Sequence, residues 1–171
     1  MDLASKIREV PDFPKKGTLF YDITTLLKDA IAFQEAISQM AAPFIDQRIQ
    51  KVVAIESRGF ILGAPVAERL GAGFIPVRKA GKLPADTIEE SYTLEYGADR
   101  LTMHQDAILK GERVLIIDDL LATGGTAWAA SRLVTRLGGE IQGISCLIEL
   151  AFLKGRERLG DLYVHSVLVY D

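Results

Sequence analysis

The sequence predicts an α/β fold with a mainly parallel central sheet flanked by helices. Three observations carry that prediction. Short unbroken apolar runs, such as Val52-Val53-Ala54-Ile55 and Val114-Leu115-Ile116-Ile117, have the composition of strands buried on both faces. Stretches with helical spacing separate them, so strand and helix alternate along the chain. The 171 residues are 49% hydrophobic and 25% charged, which excludes intrinsic disorder and suffices for one substantial core.

The elements follow in order. Phe33, Ile37, Met40 and Phe44 recur at helical spacing, so residues 30–47 read as an amphipathic helix, kinked or shortened by Pro43. Val52-Val53-Ala54-Ile55 is the first core strand. Residues 59–70 read as a helix in which Pro65 implies a late start or a kink. Phe74-Ile75-Pro76-Val77 is a second strand. Residues 80–90, with Gly81, Lys82, Pro84 and Asp86, read as an exposed loop. Residues 94–103 alternate loosely as one or two extended segments. Val114-Leu115-Ile116-Ile117 is the third core strand. Residues 124–138 form a helix with Ala130, Leu133, Val134 and Leu137 on one face, and 144–150 and 163–169 supply two more strands.

Composition also sets the excluded classes. Twenty basic against 23 acidic residues give a net charge of −3, which argues against a bulk nucleic-acid binder. The single cysteine, Cys146, reads as a small buried hydrophobe with no internal disulfide, and His104 and His165 stand too far apart for a zinc cluster. Both histidines read as structural and Trp128 as packing. No apolar run approaches membrane-spanning length and the N-terminus has no apolar signal core, so a soluble cytoplasmic protein is expected.

The chemistry concentrates in residues 114–126. A buried strand runs into Asp118 and Asp119. A turn of Ala122, Thr123, Gly124, Gly125 and Thr126 follows, and a helix begins. Glycines let backbone N–H groups approach an anion, and a helix N-terminus adds about half a positive charge. A side chain at Gly125 is expected to crowd that backbone and to demand a disfavoured φ. The pattern is neither the Walker loop nor the dinucleotide fingerprint, because the acids immediately precede the turn. Two carboxylates would repel a bare phosphate, so they call for a sugar diol, with a divalent cation near. The turn therefore suits a sugar phosphate. The plainer readings are Thr123 as a helix N-cap and a solvated pair of aspartates at a strand end.

This string resembles the 5-phosphoribosyl-1-pyrophosphate (PRPP) motif of type I phosphoribosyltransferases. The resemblance extends to Phe13-Pro14, Gly17, Phe20-Tyr21-Asp22-Ile23, Glu56-Ser57-Arg58-Gly59-Phe60, Arg78-Lys79-Ala80-Gly81-Lys82-Leu83-Pro84 and Ser91-Tyr92-Thr93-Leu94-Glu95-Tyr96-Gly97. Together these are similar to the adenine phosphoribosyltransferases over nearly the whole chain. Tyr21 departs from the arginine of many relatives. The resemblance implies the type I fold as one domain over 1–171, with a hood over about 1–30 and a mobile flap over about 80–95. It implies transfer of the phosphoribosyl group from PRPP to N9 of adenine, giving AMP and pyrophosphate. Ser57, Arg58 and Gly59 would form the pyrophosphate loop, with Arg58, Arg78, Lys79 and Lys82 supplying positive charge for the leaving group. Glu95 would handle the purine proton, and Phe20, Tyr21 and Asp22 would hold the base. A homodimer is implied, as is Mg²⁺ carried on PRPP oxygens rather than in a protein cage. Two other readings remain: a different nucleobase as acceptor, and a PRPP-sensing regulator, which would need a DNA-binding extension or a basic face.

Overall fold

The apolar runs become the centre of a large sheet in the computed structural model, which describes residues 1–94 and 97–171. The chain opens with a small antiparallel pair, β1 (Arg8–Pro11) and β2 (Leu19–Asp22), in which Arg8 faces Asp22 and Val10 faces Phe20. These strands are not legible in the sequence, because the four exposed or half-exposed residues of each carry no burial alternation. Helices α1 (Thr24–Leu27) and α2 (Ala30–Ala41) follow. Asp29 caps α2, its carboxylate accepting from the amides of Ile31 and Ala32, both at 3.1 Å. The helix expected over 30–47 stops at Ala41, and Pro43 lies in a 3₁₀ turn, Ala42–Phe44.

Strand β3 (Lys51–Ile55) leads into α3 (Arg58–Leu70), and β4 (Gly73–Lys79) follows. Pro65 does not delay α3, which starts at Arg58 and runs through it. Residue 61, whose carbonyl a proline at 65 deprives of its donor, is exposed, so water can replace the lost bond. The loop expected over 80–90 ends at residue 86. Strand β5 (Thr87–Leu94) then pairs antiparallel along its whole length with β6 (Gly97–His104). Strand β7 (Arg113–Leu121), helix α4 (Gly125–Arg136), strand β8 (Glu140–Leu150), the short α5 (Gly155–Leu159) and β9 (Val164–Tyr170) complete the chain.

Among the described residues the large sheet runs β5-β6-β4-β3-β7-β8-β9. The five strands from β4 to β9 are parallel, and β6 joins β4 antiparallel. Alternate residues of the central strands feed two cores. Val52, Ala54, Leu115 and Ile117 pack with α2 and α3, whereas Val53, Ile55, Val114 and Ile116 pack with α4. Helices α3 and α4 therefore cover opposite faces, although they follow neighbouring strands. The crevice between the ends of β3 and β7 is a topological switch point, where such sheets bind ligands. No helix among the described residues is long and apolar enough to cross a membrane.

Helix α3 lies close on β3 because Gly63 has no side chain. A Cβ there would stand 2.5 Å from the Ala54 Cβ and 3.3 Å from the Phe74 ring. Gly63→Ala is therefore expected to destabilise the fold by about 1–3 kcal/mol, the range for an overpacked core. A thermal melt checks this, with Tm falling by several degrees.

Candidate active site

A cavity of about 280 Å³ opens at the switch point, lined by Arg58, Tyr92 and residues 118–126, with Ile55 and Glu56 at its edge. It gathers most of the sequence-predicted phosphate and sugar residues: Asp118, Asp119, Ala122, Thr123, Gly124, Gly125 and Thr126. Strand β7 does not end before the aspartates. It runs through them to Leu121, so the pair is buried, at 9% and 8% exposure, rather than solvated at a strand end. The backbone stays extended there because β8 continues beside it, pairing Asp118 with Cys146 and Leu121 with Glu149.

The buried acids are held by few partners. The Asp118 Oδ1 accepts from the amide of Asp119 at 2.9 Å, and the Arg58 Nε donates to the Asp119 Oδ2 at 2.5 Å. Gly59 lets the first turn of α3 approach the pair, since a Cβ there would stand 3.1 Å from the Asp118 Oδ1. Burial, reinforced by the Asp119 charge, pushes the Asp118 carboxyl well above the usual carboxylate range, although Arg58 acts against this.

The phosphate turn has its left-handed residue at Gly124 (φ +85°), not at Gly125 as expected. Gly124 is also the N-cap of α4, which has no side-chain cap, so Thr123 does not serve as one. The first amides of the twelve-residue helix point into the turn without a capping oxygen, as an anion-binding end requires. Gly125 faces the Tyr92 ring, 3.0 Å from a built Cβ. Tyr92 lines the cavity although no sequence motif marks it for a role there. Its hydroxyl donates to Asp99 at 3.4 Å, and burial, with Asp99 beside it, pushes it up to about 12.

Ser57 is the N-cap of α3, and the Glu56–Ser57 peptide is cis. The expected cations do not converge as free charges. Arg78 pairs with Glu56, Nε to Oε2 at 3.0 Å, and the amide of Lys79 donates to the other oxygen of that carboxylate at 3.0 Å. The Lys79 ammonium pairs with Asp99 at 3.2 Å. Arg78 and Lys79 thus stand at the end of β4, outside the main cavity lining. Lys82 lies in the following turn, where its carbonyl accepts from Arg78. Burial opposes ionisation of Glu56, but the Lys79 amide and Arg78 outweigh it and hold the carboxyl below its usual range. Glu56 is the acid that sequence reasoning left without a role.

In the β1–β2 pair, successive residues of β2 face opposite ways. Phe20 meets Phe13 edge-on at 5.1 Å and carries the Arg58 guanidinium 5.5 Å from its ring centroid. With Val10, Phe13 and Asp22 it lines an apolar cavity of about 220 Å³. Tyr21 points the other way, its ring 4.4 Å from that of Tyr170, so it packs on β9 and does not join Phe20 as a base-holding ring. Asp22 binds Thr24 and Arg8, which hold its carboxyl down at about 2 and lock the β1–β2 pair to α1. Glu95 lies outside the described residues. Cys146, His104 and His165 behave as expected: Cys146 is buried, and the histidines bond backbone at Ala85 and Gln39.

A mainly parallel α/β sheet with a glycine turn and a buried acid pair at its switch point places this chain among the α/β proteins that bind ligands beyond the ends of their strands. The family described as phosphoribosyl transferase domain matches residues 22–165. The chain belongs to the phosphoribosyltransferase family. An adenine phosphoribosyltransferase of Koribacter versatilis is 56% identical over 169 residues, covering 99% of this chain and 93% of the relative. The crystal structure of adenine phosphoribosyltransferase from Rhodothermus marinus superposes with a TM-score of 0.94 at 56% identity, covering 98% of this chain and 96% of that one. The Saccharomyces cerevisiae enzyme, solved with an imino-altritol bisphosphate and adenine, has a TM-score of 0.93 at 38% identity, covering 98% and 97%.

Two outcomes follow from this geometry. The native state holds the Asp118 proton more tightly than the unfolded chain does. This group therefore favours folding at low pH, and that contribution is lost as pH rises through its raised folded pKa. Asp118→Asn, an uncharged isostere, should melt above the parent at pH 8, with the gap closing as pH falls below the ordinary carboxylate range. Gly124→Ala places a Cβ 2.5 Å from the Gly155 carbonyl oxygen in a left-handed conformation. It should cost about 1–3 kcal/mol of stability. Gly125→Ala, with ordinary φ and a ring that can shift, should cost less in the same melting assay.

Proposed function

We propose that the chain transfers the 5-phosphoribosyl group from PRPP to N9 of adenine, forming AMP and pyrophosphate in purine salvage. The observation that carries this reading is the single cavity in which the uncapped start of α4, the buried pair Asp118–Asp119 and Arg58 meet. The 5′-phosphate takes the turn of residues 122–126, donated to by backbone amides and by Thr123 and Thr126. The ribose diol donates to the aspartates. The pyrophosphate lies at the start of α3, on the backbone of Ser57 and Gly59, with Arg58, Arg78, Lys79 and Lys82 as its cations. Adenine stacks on Phe20 in the apolar cavity beside the hood.

As the N9–C1′ bond forms, the C1′–oxygen bond to pyrophosphate breaks and its electron pair leaves on the diphosphate. Arg58 at the start of α3 and the cations at and beyond the end of β4 stabilise that charge. The proton lost from the purine passes through Glu95. Residues 80–95 are the flap of this scheme, and residues 1–30 are its hood. Three carboxylates line the cavity, from Glu56, Asp118 and Asp119, with Glu56 already held by Arg78 and the Lys79 amide, and among the described residues no group of three or more His, Cys, Asp or Glu side chains is placed to hold a metal ion. That donor set fits Mg²⁺ held on PRPP oxygens, where the ion neutralises diphosphate charge. The proposal extends to a homodimer working in the cytoplasm.

The test is a purine panel with PRPP and Mg²⁺, following pyrophosphate release. Adenine should turn over far faster than hypoxanthine, guanine or orotate, and equal rates would sink the assignment. Glu95→Gln keeps size but cannot exchange a proton, so kcat should fall by about 10²–10⁴-fold. The KM for adenine should change much less. Single-turnover kinetics beside a melting curve separate a chemical defect from slow product release or misfolding.

A further inference from the structure

We propose that the ion pair Glu149–Arg156, outside the cavity, is the device that seats the phosphate turn: it pins α5 so that Gly155 braces the backbone of residues 122 and 124. The inference rests on the reading that this turn binds the 5′-phosphate.

Glu149 is 4% exposed and stands opposite Leu121 in the β7–β8 register, one residue before the turn begins. The Arg156 Nε and Nη2 donate to its two carboxylate oxygens, both at 2.7 Å. The Ser166 hydroxyl donates to the same carboxylate. The Arg156 Nη1 donates to the Val164 carbonyl at 2.9 Å, which ties α5 to β9 as well. Every charge-bearing atom of the buried acid thus has a partner. A two-pronged guanidinium–carboxylate contact fixes orientation as well as distance.

That fixed orientation is passed on through Gly155, the residue before Arg156. A Cβ on Gly155 would stand 2.4 Å from the Ala122 carbonyl oxygen and 3.2 Å from the Gly124 amide nitrogen. A Cβ on Gly124 would in turn stand 2.5 Å from the Gly155 oxygen. The two backbones touch with no side chain between them, so a shift of α5 becomes a shift of the turn. One turn further on, Arg158 lies 5.5 Å over the Trp128 ring, and its Nη1 is 3.3 Å from a Cβ built on Gly125. Neither Glu149 nor Arg156 lines the cavity. They are positioning residues. An apolar pair could fill the same space, but it would not hold α5 at one angle.

The experiment is titration calorimetry with AMP on the parent, Glu149→Gln, Arg156→Ala and Arg156→Lys, with steady-state kinetics on the same preparations. Stoichiometry counts the folded, competent fraction, and Kd reports the seating of the turn. The expected result is a Kd for AMP and a KM for PRPP raised about 10- to 100-fold in Glu149→Gln and Arg156→Ala, the scale of a small misplacement at a binding site. Stoichiometry should hold, and the KM for adenine should move little. Arg156→Lys, which keeps the charge but loses the fork, should fall between Arg156→Ala and the parent. Unchanged Kd in Glu149→Gln and Arg156→Ala overturns the proposal, and so does a fall in stoichiometry alone, because that is what a merely structural pair would give. Should Glu149→Gln not fold, Arg156→Lys decides, and a parental Kd there overturns it. A parent that binds no AMP overturns the functional reading, and this inference with it.

Discussion

The Arg58–Asp119 ion pair is the contact through which the parts of the site reach one another. Arg58 belongs to the first turn of α3, Asp119 to β7, and the far side of the guanidinium lies on Phe20 of β2. Without that cation, two adjacent carboxylates would sit buried with only a backbone amide between them, an arrangement that a low-dielectric site penalises heavily. With it, one acid is paired and the other carries the cost as a raised affinity for its proton. The same side chain is the one that a diphosphate at the start of α3 would draw away. Ligand binding and the ionisation of the acid pair are therefore linked through one residue.

On the proposed function, a chain of net charge −3 takes a strongly anionic substrate, and the pairing of its cations makes that workable. Arg58, Arg78 and Lys79 each hold a carboxylate, from Asp119, Glu56 and Asp99 respectively. The Arg78 and Lys79 side chains are at least one-third exposed, so their contacts are weak ones that a multivalent anion can exchange. The acids do not cancel the site. They keep long cationic side chains ordered at the ends of β3 and β4, so that less rotamer freedom is lost when a diphosphate arrives.

What the sequence made legible was whatever depended on periodicity or on a contiguous string. The five parallel strands are apolar runs, and the turn at 122–126 lies in one stretch of chain. Less visible were features that need a neighbour. Strand β7 passes through two aspartates because β8 lies beside it, and no local propensity announces that. The glycine that tolerates no side chain is 124, because the backbone of Gly155, thirty-one residues away, fills the space where its Cβ would stand. Tyr21 and Phe20 looked alike as candidate base holders, yet strand alternation sends one to Tyr170 and the other to the cavity. Residues 87–90 read as an exposed loop because residues 87–93 of the strand they form are mostly exposed or half-exposed, with Tyr92 the one buried side chain among them.

The place of the site follows from handedness more than from any one residue. From β3 the chain crosses over through α3 to β4 on one side, and from β7 it crosses through α4 to β8 on the other. Strand–helix–strand crossovers are right-handed, so crossovers in opposite directions must put their helices on opposite faces. The two cores show this, with Leu62 and Val66 of α3 on one side and Leu133 and Val134 of α4 on the other. Neighbouring parallel strands lie about 4.8 Å apart. At the ends of β3 and β7 the two helices therefore splay away from a common edge, with both N-termini facing the gap. One helix start receives one phosphate group, and two starts on either side of a gap can receive a molecule with phosphates at both ends of a sugar. Asp118 and Asp119 lie on the strand between them, where such a sugar would rest. The turn, the acid pair and the start of α3 occupy a position in this sheet where the backbone presents two positive helix ends to the same cavity.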